Sequence, residues 1–130
     1  MIVVDSSVWI ANLRDLDTAA VRRLRSIDHA SEPVLVGDLI LLEVLQGARN
    51  EEHAGRIEQA LRQFPVEAML DPELAVRAAR NFRALRARGI TVRKTIDVII
   101  GTFCIERGHQ LLHEDRDFLP MAAHLGLHVL

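Results

Sequence analysis

Four acidic residues far apart in the chain, Asp5, Glu43, Asp97 and Asp115, each stand beside or inside an apolar segment of the kind that enters a core. A carboxylate there has to be protonated, paired or bound to a cation, and four sharing one place would need a divalent metal. Two carboxylates about 5 Å apart repel by roughly 3 kcal/mol at an effective dielectric of about 20, and four of them make about six such pairs, on the order of 20 kcal/mol. An all-oxygen carboxylate set selects Mg²⁺, or alternatively Mn²⁺, over Zn²⁺. Such a site would hold the ion against a phosphate, supply a hydroxide-like nucleophile and stabilise the leaving oxygen of an in-line displacement, which is phosphodiester hydrolysis. A second ion would join with substrate, because Mg²⁺ keeps several waters and takes only one or two protein carboxylates.

Each acid also has a plainer reading. Asp5 directly follows an apolar run and could simply cap the helix after it. Asp97 lies in the first turn of a helix, where the macrodipole favours an acid. Glu43 resists this treatment: Leu39-Ile40-Leu41-Leu42-Glu43-Val44-Leu45 is apolar around the helical circumference, which implies a buried element whose only charge needs a partner. Gly47, one turn later, leaves room for a ligand or another backbone near that carboxylate. In His113-Glu114-Asp115-Arg116-Asp117-Phe118, strand-like alternation puts Asp115 and Asp117 on one side, so either can be the fourth acid, with Asp117 also placed to cap a helix led by Phe118. Arg116 can pair with a neighbouring acid or a phosphate. The six histidines form no H-E-x-x-H or paired Cys/His motif, although His109 and His113 could share a strand face.

The elements that would position these groups alternate. Ile2 to Val4 reads as a strand, and Asp5-Ser6-Ser7 opens a helix through Val8-Trp9-Ile10. A helix from Thr18 to His29 stops before Glu32-Pro33, and the strand Val34 to Val36 leads to Asp38, a cap for a helix from Leu39 to Arg49. Asn50 opens a helix carrying Ile57, Leu61 and Phe64 inward, and Pro65 closes it. A short strand over Val66 to Met69 follows. Asp71-Pro72 starts a helix that ends at Gly89, and Thr95 caps one that runs to Gly108. Gln110 to His113 reads as a strand, Phe118 to Leu125 as a helix and His128 to Leu130 as a last strand. This pattern predicts an α/β fold with a central parallel sheet of four to five short strands and helices on both faces, in one domain over residues 1–130. Ligands of such sheets bind beyond the carboxyl ends of the strands, where all four acids would meet.

A chain of 130 residues with 49% hydrophobic and 26% charged residues has globular composition. No apolar run approaches the roughly 20 residues of a membrane helix, and the start has neither a basic n-region nor a small-residue cleavage site, so a cytoplasmic protein is expected. The single cysteine, Cys104, sits among Ile99, Ile100, Phe103 and Ile105 and reads as core packing. A net charge of −2 argues against holding nucleic acid by a broad basic surface. Local basic regions remain: of 16 basic residues all but Lys94 are arginine, which suits planar contact to phosphate. No P-loop or dinucleotide glycine motif is present. A phosphoryl-accepting receiver domain fits poorly, because Asp5 is followed by Ser6-Ser7 and Lys94 does not follow a late strand.

Ile-Val-Val-Asp5-Ser6-Ser7-Val-Trp-Ile, Glu43 in an apolar helix, Asp97 in Thr95-Ile-Asp-Val-Ile-Ile, and His113-Glu-Asp115-Arg-Asp117-Phe together resemble a PIN-domain ribonuclease. Length and motif order are similar to a VapC-type toxin of a bacterial toxin–antitoxin pair, and the resemblance covers essentially the whole chain. It implies Asp5 and Asp97 as main metal ligands, with Glu43 and Asp115 completing an acidic quartet and Ser6 hydrogen-bonding the site or the scissile phosphate. It implies Mg²⁺-dependent endonucleolytic cleavage of RNA to a 5′-phosphate and a 3′-hydroxyl, a homodimer, and a cognate antitoxin that blocks the cleft with a C-terminal segment. Glu114 departs from the small or polar residue common in the family at that place. Arg93, Lys94 and Arg116, with Arg77, Arg80, Arg83, Arg86 and Arg88 on one helix, are candidates for RNA contact. Trp9, between Val8 and Ile10, reads as core or dimer packing rather than a base-stacking platform. The alternative is a non-catalytic RNA- or protein-binding module on the same scaffold, against which the presence of all four acids argues.

Overall fold

Ile2, Val3 and Val4 are apolar without a polar residue between them, and a computed structural model describing residues 1–130 makes them β1, the middle strand of a five-stranded sheet. Around β1 lie β2 (Val34–Gly37), β3 (Val66–Glu67), β4 (Gln110–Leu112) and β5 (His128–Val129), in the order β3-β2-β1-β4-β5. Every pairing is parallel. All residues of β1 and β2 are buried, and because successive side chains point to opposite faces, both faces of the sheet are covered.

The helices are α1 (Ser6–Leu13), α2 (Ala19–Arg25), α3 (Asp38–Gln46), α4 (Glu51–Leu61), α5 (Pro72–Ala87), α6 (Thr95–Arg107) and α7 (Leu119–His124), the last preceded by a 3₁₀ turn over Arg116–Phe118. One group packs α1 on α2 and α3, and α3 on α4; the other packs α5 on α6 and α7. A single cluster of 28 buried apolar residues, including Leu35, Ile40, Phe103 and Phe118, joins sheet and helices. Trp9 is part of this cluster, its ring 5.7 Å from that of Phe64. Cys104 is fully buried, and burial pushes its thiol up to about 12, which makes it inert. No helix is long and apolar enough to cross a membrane.

Several boundaries differ from the sequence expectation for identifiable reasons. The helix after Thr18 ends at Arg25 rather than His29, because Asp28 builds a turn that takes the Ala30 amide and the Ser31 hydroxyl. Asp38 is the first residue of α3 and Gly37 its cap; the Asp38 carboxylate instead accepts the Met69 amide at 3.0 Å. That bond draws the chain out of the sheet after Glu67, so β3 is shorter than Val66 to Met69. Thr95 is likewise inside α6, with Lys94 as cap residue and no side-chain capping bond. Helix α3 stops at Gln46 and is not buried all round: Leu42 is 53% exposed and only Ile40 and Val44 are buried. His109 precedes β4 and His113 follows it, so they share no strand face.

Gly37 closes β2 and caps α3, and a Cβ there would overlap three side-chain atoms of Met69, itself 1% exposed. Gly37→Ala should therefore cost about 1–3 kcal/mol through overpacking, read as a lower urea midpoint with an unchanged m-value. A variant as stable as the parent would show that Met69 repacks freely.

Candidate active site

Parallel pairing puts the carboxyl ends of β1 and β4 side by side, with Val4 opposite Leu112 and the Asp5 amide donating to the Leu112 carbonyl at 2.9 Å. Asp5 and the residues after β4 therefore leave the sheet together. Asp5 is 3% exposed and has two functions at once. Its Oδ2 caps α1 by accepting the Ser7 amide at 3.1 Å and also accepts the Ser7 hydroxyl at 2.6 Å, whereas its buried Oδ1 has no partner.

Helix α3 starts directly after β2 and packs on α1, which brings the half-buried Glu43 to Ser6; the Ser6 hydroxyl donates to Glu43 Oε1 at 3.1 Å. On the other side of β1, α6 carries Asp97 in its first turn, 3% exposed. Asp97 makes no capping bond, and its buried Oδ2 has no hydrogen-bond partner. Gly47 ends α3 as its C-cap residue and is exposed.

The loop after β4 is not a strand. His113 Nδ1 accepts the Asp115 amide at 3.2 Å, its ring lies 5.1 Å from that of Phe118, and Asp115 Oδ1 accepts the Asp117 amide at 2.9 Å. Asp115 thus caps the 3₁₀ turn, the function that the sequence suggested for Asp117, and the turn swings Asp117 inward. Oxygens of Asp97, Asp115 and Asp117 lie within 4.8 Å of one another, so both candidates for the fourth acid enter the cluster. Asp117 Oδ2 is buried without a partner, and Arg93 lies 3.6 Å from Oδ1.

Burial pushes the Asp97 carboxyl up to about 7, with the charges of Asp115 and Asp5 adding to the shift and Lys94 opposing it. Asp5 is raised by burial against the hydrogen bonds from Ser7. Glu43 is raised by burial, opposed by the Ser6 hydroxyl and reinforced by the Asp5 charge. The acids feel one another's charges, as members of one site must. Lys94, exposed, is close enough to lower Asp97 and Glu43, and Arg116 is exposed with no ion pair. On α5, Arg77 is committed to Glu73 and Glu106, whereas Arg80, Arg83 and Arg88 are exposed and Arg86 lies over the Phe82 ring.

The donor set suits a hard divalent cation. Three buried carboxylate oxygens, on Asp5, Asp97 and Asp117, have no donor from the protein, and the three carboxylates whose oxygens cluster, Asp97, Asp115 and Asp117, include no thiolate or imidazole and match Mg²⁺ or Mn²⁺; Asp5 and Glu43 stand outside that closest group. Sequence reading gave Ser7 only a capping function and did not connect Thr18 or Ser7 to Glu114. The Ser7 hydroxyl accepts the Glu114 amide at 3.2 Å, and the Thr18 hydroxyl donates to the Glu114 carboxylate. Only the short hydroxyl two residues after Asp5 could have signalled this, and it reads equally well as a cap.

A parallel sheet with acids from four separate elements beyond its carboxyl edge defines an α/β domain with an acidic site. The chain belongs to the PIN domain family, whose sequence profile matches residues 2–123. It is 30% identical over 120 residues to VapC ribonuclease Mb1587 of Mycobacterium bovis, covering 91% of this chain and 89% of that protein. The same identity and coverage relate it to Ribonuclease VapC11 of Mycobacterium tuberculosis. Its fold is that of VapBC2 from Rickettsia felis, solved with a promoter DNA fragment (TM-score 0.79, 11% identity, 100% of this chain and 98% of that one). FitAcB from Neisseria gonorrhoeae is similar (TM-score 0.78, 18% identity, 100% and 96%).

The raised Asp97 sets a pH dependence for the metal-free protein. The folded carboxyl titrates near 7 and the unfolded one near 3.8, so below that lower value both are protonated and folding carries no penalty. As pH rises toward 7 the unfolded chain releases the proton first, stability falls, and the loss is complete above the folded value. Asp97→Asn in EDTA should melt at least about 4 °C above the parent near pH 8, roughly the effect of 1 kcal/mol in a domain of this size, and show no such gain near pH 4. A gap that stays constant over that range would contradict the assignment.

Proposed function

We propose that the protein is a metal-dependent endoribonuclease and the toxin of a toxin–antitoxin pair, using Mg²⁺, with Mn²⁺ able to replace it. The observation that carries this reading is the set of donor-free buried carboxylate oxygens on Asp5, Asp97 and Asp117, of which Asp97 and Asp117 cluster with Asp115 within 4.8 Å. Membership of the PIN domain family and the ribonuclease names of its relatives point the same way.

In this reading Asp5, Asp97, Asp115 and Asp117 would hold the ion, with Glu43 completing the acidic set. When bound, Mg²⁺ neutralises charge on the scissile phosphate and activates water for attack on phosphorus. Ser6 fixes Glu43 by a hydrogen bond, so that its carboxylate can take a proton from the attacking water. Attack in line with the departing 3′-oxygen leaves a 3′-hydroxyl and a 5′-phosphate. Arg93, Lys94 and Arg116, exposed around the acids, receive the flanking phosphates and offset the negative potential that would otherwise repel RNA. A cognate antitoxin would block this site with a C-terminal segment; a toxin–antitoxin complex from Klebsiella pneumoniae is among the structures whose fold the chain shares. The toxin itself would be a homodimer.

Purified protein should cleave structured RNA with Mg²⁺ and stop in EDTA, and Asp5→Asn or Asp97→Asn should each slow cleavage by on the order of 100-fold or more. Activity that survives EDTA or Asp97→Asn would sink the metal mechanism. Lys94→Ala and Arg116→Ala should weaken RNA binding for all sequences alike and lower the slope of log affinity against log salt by roughly one unit each. An unchanged salt slope would remove them from the RNA path.

A further inference from the structure

The Ser7 hydroxyl joins Asp5 to the loop after β4. It donates its proton to Asp5 Oδ2 at 2.6 Å and accepts the Glu114 amide at 3.2 Å. With Asp5 ionised the polarity is fixed, since an amide only donates and a carboxylate only accepts. Capping of α1 does not need this hydroxyl, because the capping bond to Asp5 comes from the Ser7 backbone amide. Two donors on one oxygen fix the rotation of the Asp5 carboxylate and leave Oδ1, buried and unpartnered, free to serve a ligand.

The link continues outward. Glu114 is held at its backbone by Ser7 and at its carboxylate by Thr18, whose hydroxyl accepts the Val21 amide at 3.1 Å and so belongs to the cap of α2. Beyond Glu114 come Asp115 and Asp117, both in the acidic cluster. A continuous chain of hydrogen bonds and backbone thus runs from α2 through Thr18, Glu114 and Ser7 to Asp5.

We propose that Ser7 is a positioning residue for the metal site: its hydroxyl sets the Asp5 carboxylate and clamps it to the loop bearing Asp115 and Asp117, with Glu114 and Thr18 anchoring that loop to α2. This rests on the metal-dependent reading above and adds to it a residue that does not itself touch the ion. Ligand carboxylates that are repelled by their neighbours drift apart unless something outside the cluster holds them, and partners of this kind are worth about 10- to 100-fold in metal affinity. Glu114, held at both its backbone amide and its carboxylate, is the outer half of the clamp.

The test is Mn²⁺ binding by the full chain near pH 7.5 without RNA, with free Mn²⁺ read by electron paramagnetic resonance and melting measured in parallel in EDTA. Ser7→Ala should raise the Mn²⁺ dissociation constant by about 10-fold or more while its EDTA midpoint stays close to the parent's, and Ser7→Thr, which keeps the hydroxyl, should restore binding. Thr18→Val and Glu114→Ala should lose affinity in the same direction but by less. If Ser7→Ala binds Mn²⁺ as tightly as the parent while Asp97→Asn has lost it, the clamp is wrong and the metal site stands. A parent that binds no Mn²⁺ overturns both. Should Ser7→Ala fail to fold, the two outer variants decide: parent-like affinity in both rejects the proposal, and a shared loss supports it.

Discussion

Carboxylates crowded into a buried place drive one another apart, and the carboxyl edge of this sheet depends on how Asp97, Asp115 and Asp117 are held against that force. With oxygens within 4.8 Å, each pair repels by roughly 3 kcal/mol at an effective dielectric of about 20. Neither Asp97 nor Asp117 has a hydrogen-bond donor for its buried Oδ2. What holds them is the backbone they ride on. Asp97 is fixed by α6, whose Val98, Ile100 and Phe103 are buried; Asp117 is fixed by Phe118 beside it, fully buried. Apolar burial, worth roughly 1.5–3 kcal/mol per large side chain, is the reservoir that keeps like charges together.

The small hydroxyl residues divide the remaining work. Ser6 serves Glu43, Ser7 serves Asp5 and the Glu114 amide, and Thr18 joins α2 to Glu114. Each side chain is short enough to have one geometry once its donor and acceptor are both engaged, which orients a carboxylate without neutralising it. Cations keep a greater distance. Arg93 stands 3.6 Å from Asp117 and is largely exposed, so the ion pair is weak and can exchange for a phosphate.

Much of the fold was legible in the chain because the signals were local. Asp71 ahead of Pro72, Asn50 ahead of two glutamates and Gly108 with φ of 70° all stop or start helices where the sequence implies. Errors arose where a side chain had two possible partners. Asp38 looked like a cap and serves the Met69 amide, a residue 31 positions away. Asp115 took the cap expected of Asp117, and Asp117 joined it in the cluster, because a 3₁₀ turn replaced the extended backbone that alternation assumed. Leu42 looked buried because its whole segment is apolar, and only packing shows that α3 leaves it 53% exposed.

By itself the sequence determined the alternation of strands and helices, the parallel sheet and the edge where Asp5, Glu43, Asp97 and Asp115 would gather. These follow from residue periodicity and from the rule that parallel strands send their carboxyl ends one way. Only the tertiary structure decided that Asp117 joins Asp115, that Asp5 caps with one oxygen while freeing the other, and that Ser7 and Thr18 tie Glu114 to the site. Those assignments depend on contacts such as the 3.2 Å bond between Ser7 and Glu114, 107 residues apart, which no local pattern encodes.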